Sequence, residues 1–217
     1  MKPEEYARLE RLLDEVRPSR TLEIGMANGQ SAAIFCRYLR DRQINTRHVA
    51  IDPFQSSDDG WKGAGLQLIR ELGLEEHLEL IEDFDYLALP RLVAQGAWFD
   101  FVLIDGYHTF DYTLLDLFYA DLLLRTSGVL VVHDSGWPAV YKALRFLEVY
   151  KPYERIGPAP AVHVTSLFGR LQRRVRLAFA GSEARSQTAK RRTEWHSLAA
   201  YCKRGNKLVP EGFFAEF

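Results

Sequence analysis

The sequence predicts an α/β protein in which a mostly parallel sheet is sandwiched between two layers of helices. Three observations carry this expectation. Short apolar runs rich in β-branched residues alternate with helical patterns along the first 150 positions, which is the signature of parallel strands joined by crossover helices. An acidic residue stands at or just past the end of each predicted strand, at Glu23, Asp52, Asp83, Asp105 and Asp134. The first strand also runs directly into a turn holding Gly25 and Gly29, after which a helix opens.

The elements follow in order. Pro3 to Val16 places Tyr6, Leu9, Leu12, Leu13 and Val16 on one helical face, begins with a proline and two glutamates, and is stopped by Pro18. Strands are expected at Leu22 to Gly25, His48 to Asp52, Leu78 to Ile81, Phe99 to Asp105 and Val129 to Asp134. Helices are expected at about Ser31 to Arg42, Gly63 to Leu72, Tyr86 to Gln95, Asp111 to Leu124 and Pro138 to Val149. Short connections imply right-handed crossovers, and ligands in such a sheet bind beyond the carboxyl ends of the strands where strand order reverses. Trp195 to Lys203 reads as a last strand ended by Gly205. Between them, 158–194 holds eight Lys/Arg against two Glu, with Leu167 to Phe179 patterned as a basic amphipathic helix. On base rates such a face is solvated, and an anionic acceptor, a membrane surface or a subunit interface are its functional alternatives.

Composition bounds the function. With 217 residues, 47% hydrophobic content and a net charge of -1, the chain suits one well-buried domain, 1–217, and lacks the overall basic footprint of a nucleic-acid binder. Cys36 and Cys202 fit no ligand spacing and read as buried free thiols in a reducing compartment. No apolar run reaches membrane-spanning length, and the acidic, amphipathic N-terminus does not resemble a signal peptide, so a cytoplasmic location is expected.

The glycine turn discriminates between cofactors. A dinucleotide fingerprint requires glycine at 25, 27 and 30, where the chain has Gly25, Ala27 and Gln30, and Glu23 would repel a pyrophosphate. A carboxylate beside Gly25, Met26, Ala27, Asn28 and Gly29 instead suits a cationic ligand such as S-adenosylmethionine. Asp52, closing the second strand, is placed to accept hydrogen bonds from ribose hydroxyls, or else to cap the turn before Pro53. The glycine-rich loop from Gln55 to Gly65 carries Trp61, which either closes over a ligand or anchors the next helix; Trp137 has the same two readings.

Taken in order, Glu23-Ile-Gly25-x-x-x-Gly29, Ile51-Asp52-Pro53-Phe54, Ile104-Asp105-Gly106-Tyr107-His108 and Val132-His133-Asp134-Ser135 resemble a class I S-adenosylmethionine-dependent methyltransferase. Asp105-Gly-Tyr-His108 followed by a helix with Asp111, Tyr112 and Asp116 is similar to the small O-methyltransferase-like group that includes cephalosporin-biosynthesis and catechol-type enzymes. The resemblance, over residues 20 to 157, implies a Rossmann-like seven-stranded sheet whose final strand is antiparallel. It implies adenine contacts at Asp83 and Phe84, where Glu82-Asp83-Phe84 departs from the more usual Gly-Asp pair. It further implies that Asp105 and Asp134 hold a divalent cation. Hard oxygen ligands suit Mg2+, but His133 stands where that group carries an aspartate, so manganese, iron or no metal are the alternatives. Without metal, His108 or His133 would act as general base, since an imidazole titrates near neutrality in water.

The expected activity is thus methyl transfer from S-adenosylmethionine to oxygen of a small-molecule or sugar-like acceptor. The rivals are an NAD-dependent oxidoreductase and a non-catalytic binding module docking a partner through the arginine-rich segment. A homo-oligomer is compatible with either.

Overall fold

The structure, a computed structural model, describes residues 1–157 and 198–206. Seven strands form one sheet: β1 (Thr21–Ile24), β2 (His48–Ile51), β3 (Leu78–Ile81), β4 (Phe99–Ile104), β5 (Leu124–Val132), β6 (Tyr153–Ile156) and β7 (Ala199–Lys203), in the spatial order β3-β2-β1-β4-β5-β7-β6. Strands β1 to β5 pair in parallel, while β7 runs antiparallel to both of its neighbours, β5 and β6. The expected antiparallel final strand is therefore present, in the described part of the predicted 195–203 run.

Among the described residues six α-helices cover the sheet: α1 (Pro3–Val16), α2 (Gln30–Asp41), α3 (Ala64–Glu71), α4 (Asp85–Ala94), α5 (Phe110–Leu123) and α6 (Pro138–Tyr150). The alternation of side chains along each strand assigns the faces. Leu22, Ile24, Val102, Ile104, Leu130 and Val132 pack against Leu89 of α4, Leu117 of α5 and Leu144 of α6. Phe101, Leu103, Val129 and Val131, pointing the other way, pack against Leu9 and Leu13 of α1 and Phe35 and Leu39 of α2, and Ala50 meets α2 and α3. The strands buried on both faces are the ones that read as near-continuous apolar runs.

Two elements differ from the sequence expectation. Strand β5 begins at Leu124, directly after α5, and passes through the exposed polar residues Arg125, Thr126 and Ser127, the last left-handed at φ 68, before its apolar run starts. Strand β6, Tyr-Glu-Arg-Ile, is a four-residue edge strand with no fully buried position, so it lacks the apolar pattern that marks the others. Cys36 is a buried free thiol as expected, but Cys202 is only half-buried. The basic stretch at 158–194 lies outside the described residues.

Candidate active site

Strand β1 pairs with β2 on one side and β4 on the other. Its chain neighbours β2 and β3 lie to one side and β4 to β7 to the other, so the crevice where strand order reverses opens at the ends of β1 and β4. Gly25 turns the chain there with φ +91; a Cβ at this position would lie 2.7 Å from the Asp105 carbonyl carbon and 2.9 Å from Gly106 Cα. Only glycine lets the two strand ends touch. Ala27 at φ 49 and Gly29 at φ 77 continue the turn into α2, with Asn28 exposed at its tip. The Met26 side chain is buried in the core and contributes to the turn only through its backbone.

Asp52 pins this turn. Its Oδ2 accepts hydrogen bonds from the backbone N–H of Met26 (3.0 Å) and Ala27 (2.8 Å) and from Gln55 Nε2 (3.1 Å), while Oδ1 accepts from Phe54 N–H at 2.9 Å. Gln55, fully buried, also donates to the Ala27 carbonyl at 2.8 Å. It couples the loop after β2 to the glycine turn, a role that sequence reasoning missed. The only local hint is an amide three residues past a strand-end carboxylate. Trp61 of the same loop lines the cavity described below and is 38% exposed, so it forms wall rather than core.

Glu23 faces the α1 and α2 layer, fully buried, with Oε1 3.4 Å from His48 Nε2. His48 is held by Thr21 Oγ1 at 2.8 Å and stacks on Phe35 at 4.3 Å between ring centroids. Neither Glu23 oxygen has a hydrogen-bond partner among the described residues. An ionised carboxylate in this state is costly unless a donor completes it.

The ends of β4 and β5 bring together Asp105, His108, His133 and Asp134. His133 Nδ1 lies 2.6 Å from Asp105 Oδ1, and His108 Nε2 lies 3.2 Å from Asp134 Oδ2 and 3.6 Å from Asp105 Oδ1. Asp134 adopts φ 53, which turns its carboxylate back toward the cluster. The first turn of α1 adds a residue that the sequence did not reveal: Glu5 Oε2 is 3.3 Å from His133 Nε2 and also accepts from the Lys2 backbone N–H at 2.7 Å. Burial alone would raise the Asp105 carboxyl, but hydrogen bonds to His108 and His133 outweigh it and bring it down to about 2. Burial would lower His133, yet bonding to Asp105 and Glu5 lifts it to about 9, so it is an imidazolium at neutral pH. Ligand atoms of Asp105, His108 and His133 all fall within 4.8 Å of one another, a carboxylate and two imidazoles in metal-holding proximity. Trp137 packs on this cluster, its ring 5.4 Å from that of His108.

Asp105 also borders a cavity of about 230 Å3 that extends over Gly25, Ala27, Ile51, Asp52, Phe54 and Gly106 to Phe84, Asp85 and Tyr107. Phe84 meets Phe54 edge-on at 5.7 Å. Asp85, rather than Asp83, is the acidic residue in this wall; the Asp83 carboxylate pairs with Arg91 of α4.

Comparison with known proteins bears on what such a site does. A family model described as a methyltransferase domain matches residues 22–135, from the second residue of β1 to just past Asp134, and so contains the site except for Glu5 and Trp137. No curated protein matches the sequence. Among solved structures, the chain is similar to an O-methyltransferase, TomG, from Streptomyces achromogenes in complex with SAM, at 17% identity and a TM-score of 0.66 over 94% of this chain and 82% of that one. It is similar also to an O-methyltransferase from Bacillus cereus in complex with SAH, at 15% identity and a TM-score of 0.61, with 94% and 82% covered. A cofactor-bound protein from MTB, Rv0187, superposes with a TM-score of 0.67 at 17% identity over 95% of this chain and 82% of that one.

Proposed function

The chain belongs to the methyltransferase domain family, and from that membership we propose that it moves the methyl group of S-adenosylmethionine to an oxygen of a small-molecule acceptor, at the cluster of Asp105, His108 and His133. One observation carries the reading: the cavity is lined by the glycine turn and by Asp105, whose carboxylate meets both imidazoles, so a ligand filling it would lie beside His133 and His108. Family membership favours methyl transfer over the NAD-dependent alternative. The likeness to O-methyltransferases supports oxygen as the methylated atom.

The residues fit the cofactor on physical grounds. Gly25 keeps the crevice free of a side chain where the strand ends touch, and Glu23 retains a buried carboxylate with unused acceptor capacity near the turn, which suits an amino group. Asp52 shapes the turn through three donors on Oδ2, and its Oδ1, which accepts only from Phe54 N–H, is the oxygen with room for a ribose hydroxyl. When bound, S-adenosylmethionine supplies an electrophilic methyl on a sulfonium that already leaves readily, so the protein's task is alignment and proton removal. His133 already holds its proton and stabilises negative charge beside Asp105. His108, flanked by Asp105 and Asp134, is the group to take the acceptor's hydroxyl proton, and the two carboxylates steady the imidazolium that results. In a metal-bound state, which His133 could join only after giving up its proton, Asp105, His108 and His133, with Asp134 beside them, would hold a divalent cation; this mixed oxygen and nitrogen set suits manganese or iron better than Mg2+. Such an ion would lower the acceptor hydroxyl's pKa.

The arginine-rich stretch at 158–194 supports an anionic acceptor, and a homo-oligomer and a cytoplasmic location belong to the same reading. Among the described residues no helix is long and apolar enough to cross a membrane. Calorimetric titration with S-adenosylmethionine and with NAD, followed by radiolabelled methyl transfer to a panel of hydroxylated and carboxylated acceptors, tests the proposal. We expect binding of the first ligand only, and turnover that falls at least about a hundredfold in Asp105→Asn, as for loss of one preorganised polar group. Binding of NAD alone, or unchanged turnover in that variant with and without chelator, refutes it.

A further inference from the structure

We propose that Glu5, in the first turn of α1, is a positioning residue for the transfer: it fixes the ring of His133 and, through that ring, the Asp105 carboxylate on which His108 relies. The inference rests on the methyl-transfer reading above and adds to the site a helix that lies outside the span matched by the family model.

The carboxylate of Glu5 is delivered by an anchored element. Its Oε2 accepts from the Lys2 backbone N–H at 2.7 Å, closing a capping box at the start of α1. Three and four residues on, along the same helix face, Arg8 donates to the Leu198 and Ile156 carbonyls and Leu9 is fully buried. Capping accounts for the bond from Lys2, but it does not account for the hydrogen bond between the same oxygen and His133 Nε2 at 3.3 Å. Nor does it require burial, since a cap works at the surface, yet Glu5 is only 6% exposed and its Oε1 is buried with no hydrogen-bond partner among the described residues. A charge desolvated to this degree is costly unless it faces another charge.

The ring geometry gives the contact its consequence. His133 presents Nδ1 to Asp105 Oδ1 at 2.6 Å and Nε2 to Glu5 Oε2, with Asp134 Oδ1 3.5 Å from that same Nε2. Turning the ring over exchanges each nitrogen for a carbon and breaks the contacts with Asp105 and Glu5 together, so the two acids lock one orientation. Asp105 Oδ1 is shared, lying also 3.6 Å from His108 Nε2, and the two imidazole rings stand 5.8 Å apart at 72°. With Glu5 removed, Nε2 is drawn to Asp134, which shifts Nδ1 against Asp105 and misplaces the carboxylate that steadies His108. Glu5 lies outside the lining of the cofactor cavity, so its loss should appear in turnover and not in cofactor affinity.

Two measurements on the full-length protein test this. With the histidine ring nitrogens isotopically labelled, in chelator-containing buffer at neutral pH, the NMR signals of the His133 ring are those missing from His133→Gln. Its Nε2–H should exchange with water at least about tenfold faster in Glu5→Ala than in wild type, as for loss of one charge-assisted hydrogen bond. In methyl transfer to the best acceptor of the panel above, Glu5→Ala should lower kcat by about ten- to a hundredfold, the range for a partner that orients an active-site histidine. Acceptor KM and S-adenosylhomocysteine affinity should stay close to wild type. Glu5→Gln keeps the capping bond but brings a neutral oxygen to the ring, and should lose kcat by a smaller factor. A residue that only capped the helix would lower the melting temperature of Glu5→Ala and leave the kcat of Glu5→Gln at wild type. Wild-type kcat in Glu5→Gln, or an unchanged ring signal in Glu5→Ala, overturns the inference with the methyl-transfer reading intact. Failure of wild type to bind S-adenosylhomocysteine overturns both. The ring signal needs no acceptor, and Glu5→Gln decides the matter even if Glu5→Ala does not fold.

Discussion

His133 meets Asp105 at Nδ1 and Glu5 at Nε2, 2.6 and 3.3 Å away, so both ring nitrogens face anions and the imidazolium is worth more folded than unfolded. Its folded pKa of about 9 lies above its ordinary value of 6.5. The sign follows from linkage: a raised basic group gives stability that is complete below pH 6.5 and is lost as pH climbs through 9. Thermal melts in chelator-containing buffer should therefore show stability declining from pH 7 to 10 by on the order of 2 kcal/mol. His133→Gln should be less stable at pH 7 and nearly flat over that range; an equally steep decline in the variant would show that another group is responsible. The same charge assigns the chemistry, because a histidine that keeps its proton at neutral pH leaves proton removal to His108.

At the level of elements, the junction of β1, the turn and α2 determines whether a ligand can approach backbone N–H groups at all. Three contacts hold it: Gly25 against Asp105 and Gly106, Gly29 against the backbone of Gly65, and the Asp52 carboxylate on Met26 and Ala27. Gly25→Ala combines a left-handed φ with a backbone overlap, so it should destabilise the fold by about 2 kcal/mol or more and weaken S-adenosylhomocysteine binding at least tenfold. Denaturant melts and calorimetry on the same sample check both effects, and retention of wild-type affinity would show that the close approach is not required. Helix α1 matters in a different way. Leu9 and Leu13 bury it against β4 and β5, Arg8 hydrogen-bonds the Leu198 and Ile156 carbonyls, and its first turn thereby delivers Glu5 to a histidine 128 positions away.

Across the whole molecule, the sheet is closed on its β6 and β7 side by a buried charge network. Lys203 of β7 donates to the Asp121 and Leu124 carbonyls at 2.5 and 2.9 Å, while the Asp121 carboxylate receives Lys151 at 2.7 Å and the Tyr153 hydroxyl at 3.0 Å. Burial, followed by the neighbouring Asp121 charge, raises the Tyr153 phenol, so it stays a donor. Asp121→Ala strands two cations and should cost about 3–5 kcal/mol in chemical denaturation, whereas an exposed ion pair such as Arg40–Asp41 should cost under about 1 kcal/mol. Equal small losses at both sites would remove the network from the account of stability. Local pattern alone placed β1 to β4 and the six described α-helices to within a residue or two, since apolar periodicity and turn chemistry depend on neighbours along the chain. It also marked Asp52, Asp105, His108, His133 and Asp134, because strand ends in a parallel sheet face one crevice whatever the sheet's order. Strand β6 escaped because an edge strand need not be apolar, and Gln55 because an amide in a loop has no periodic signature. The Glu5–His133 contact and the buried Glu23 carboxylate, with no hydrogen-bond partner among the described residues, were decided only by tertiary structure. Each depends on which elements the crossovers set side by side, and the charge state of a buried acid or imidazole is set by those neighbours in space, not by its neighbours in sequence.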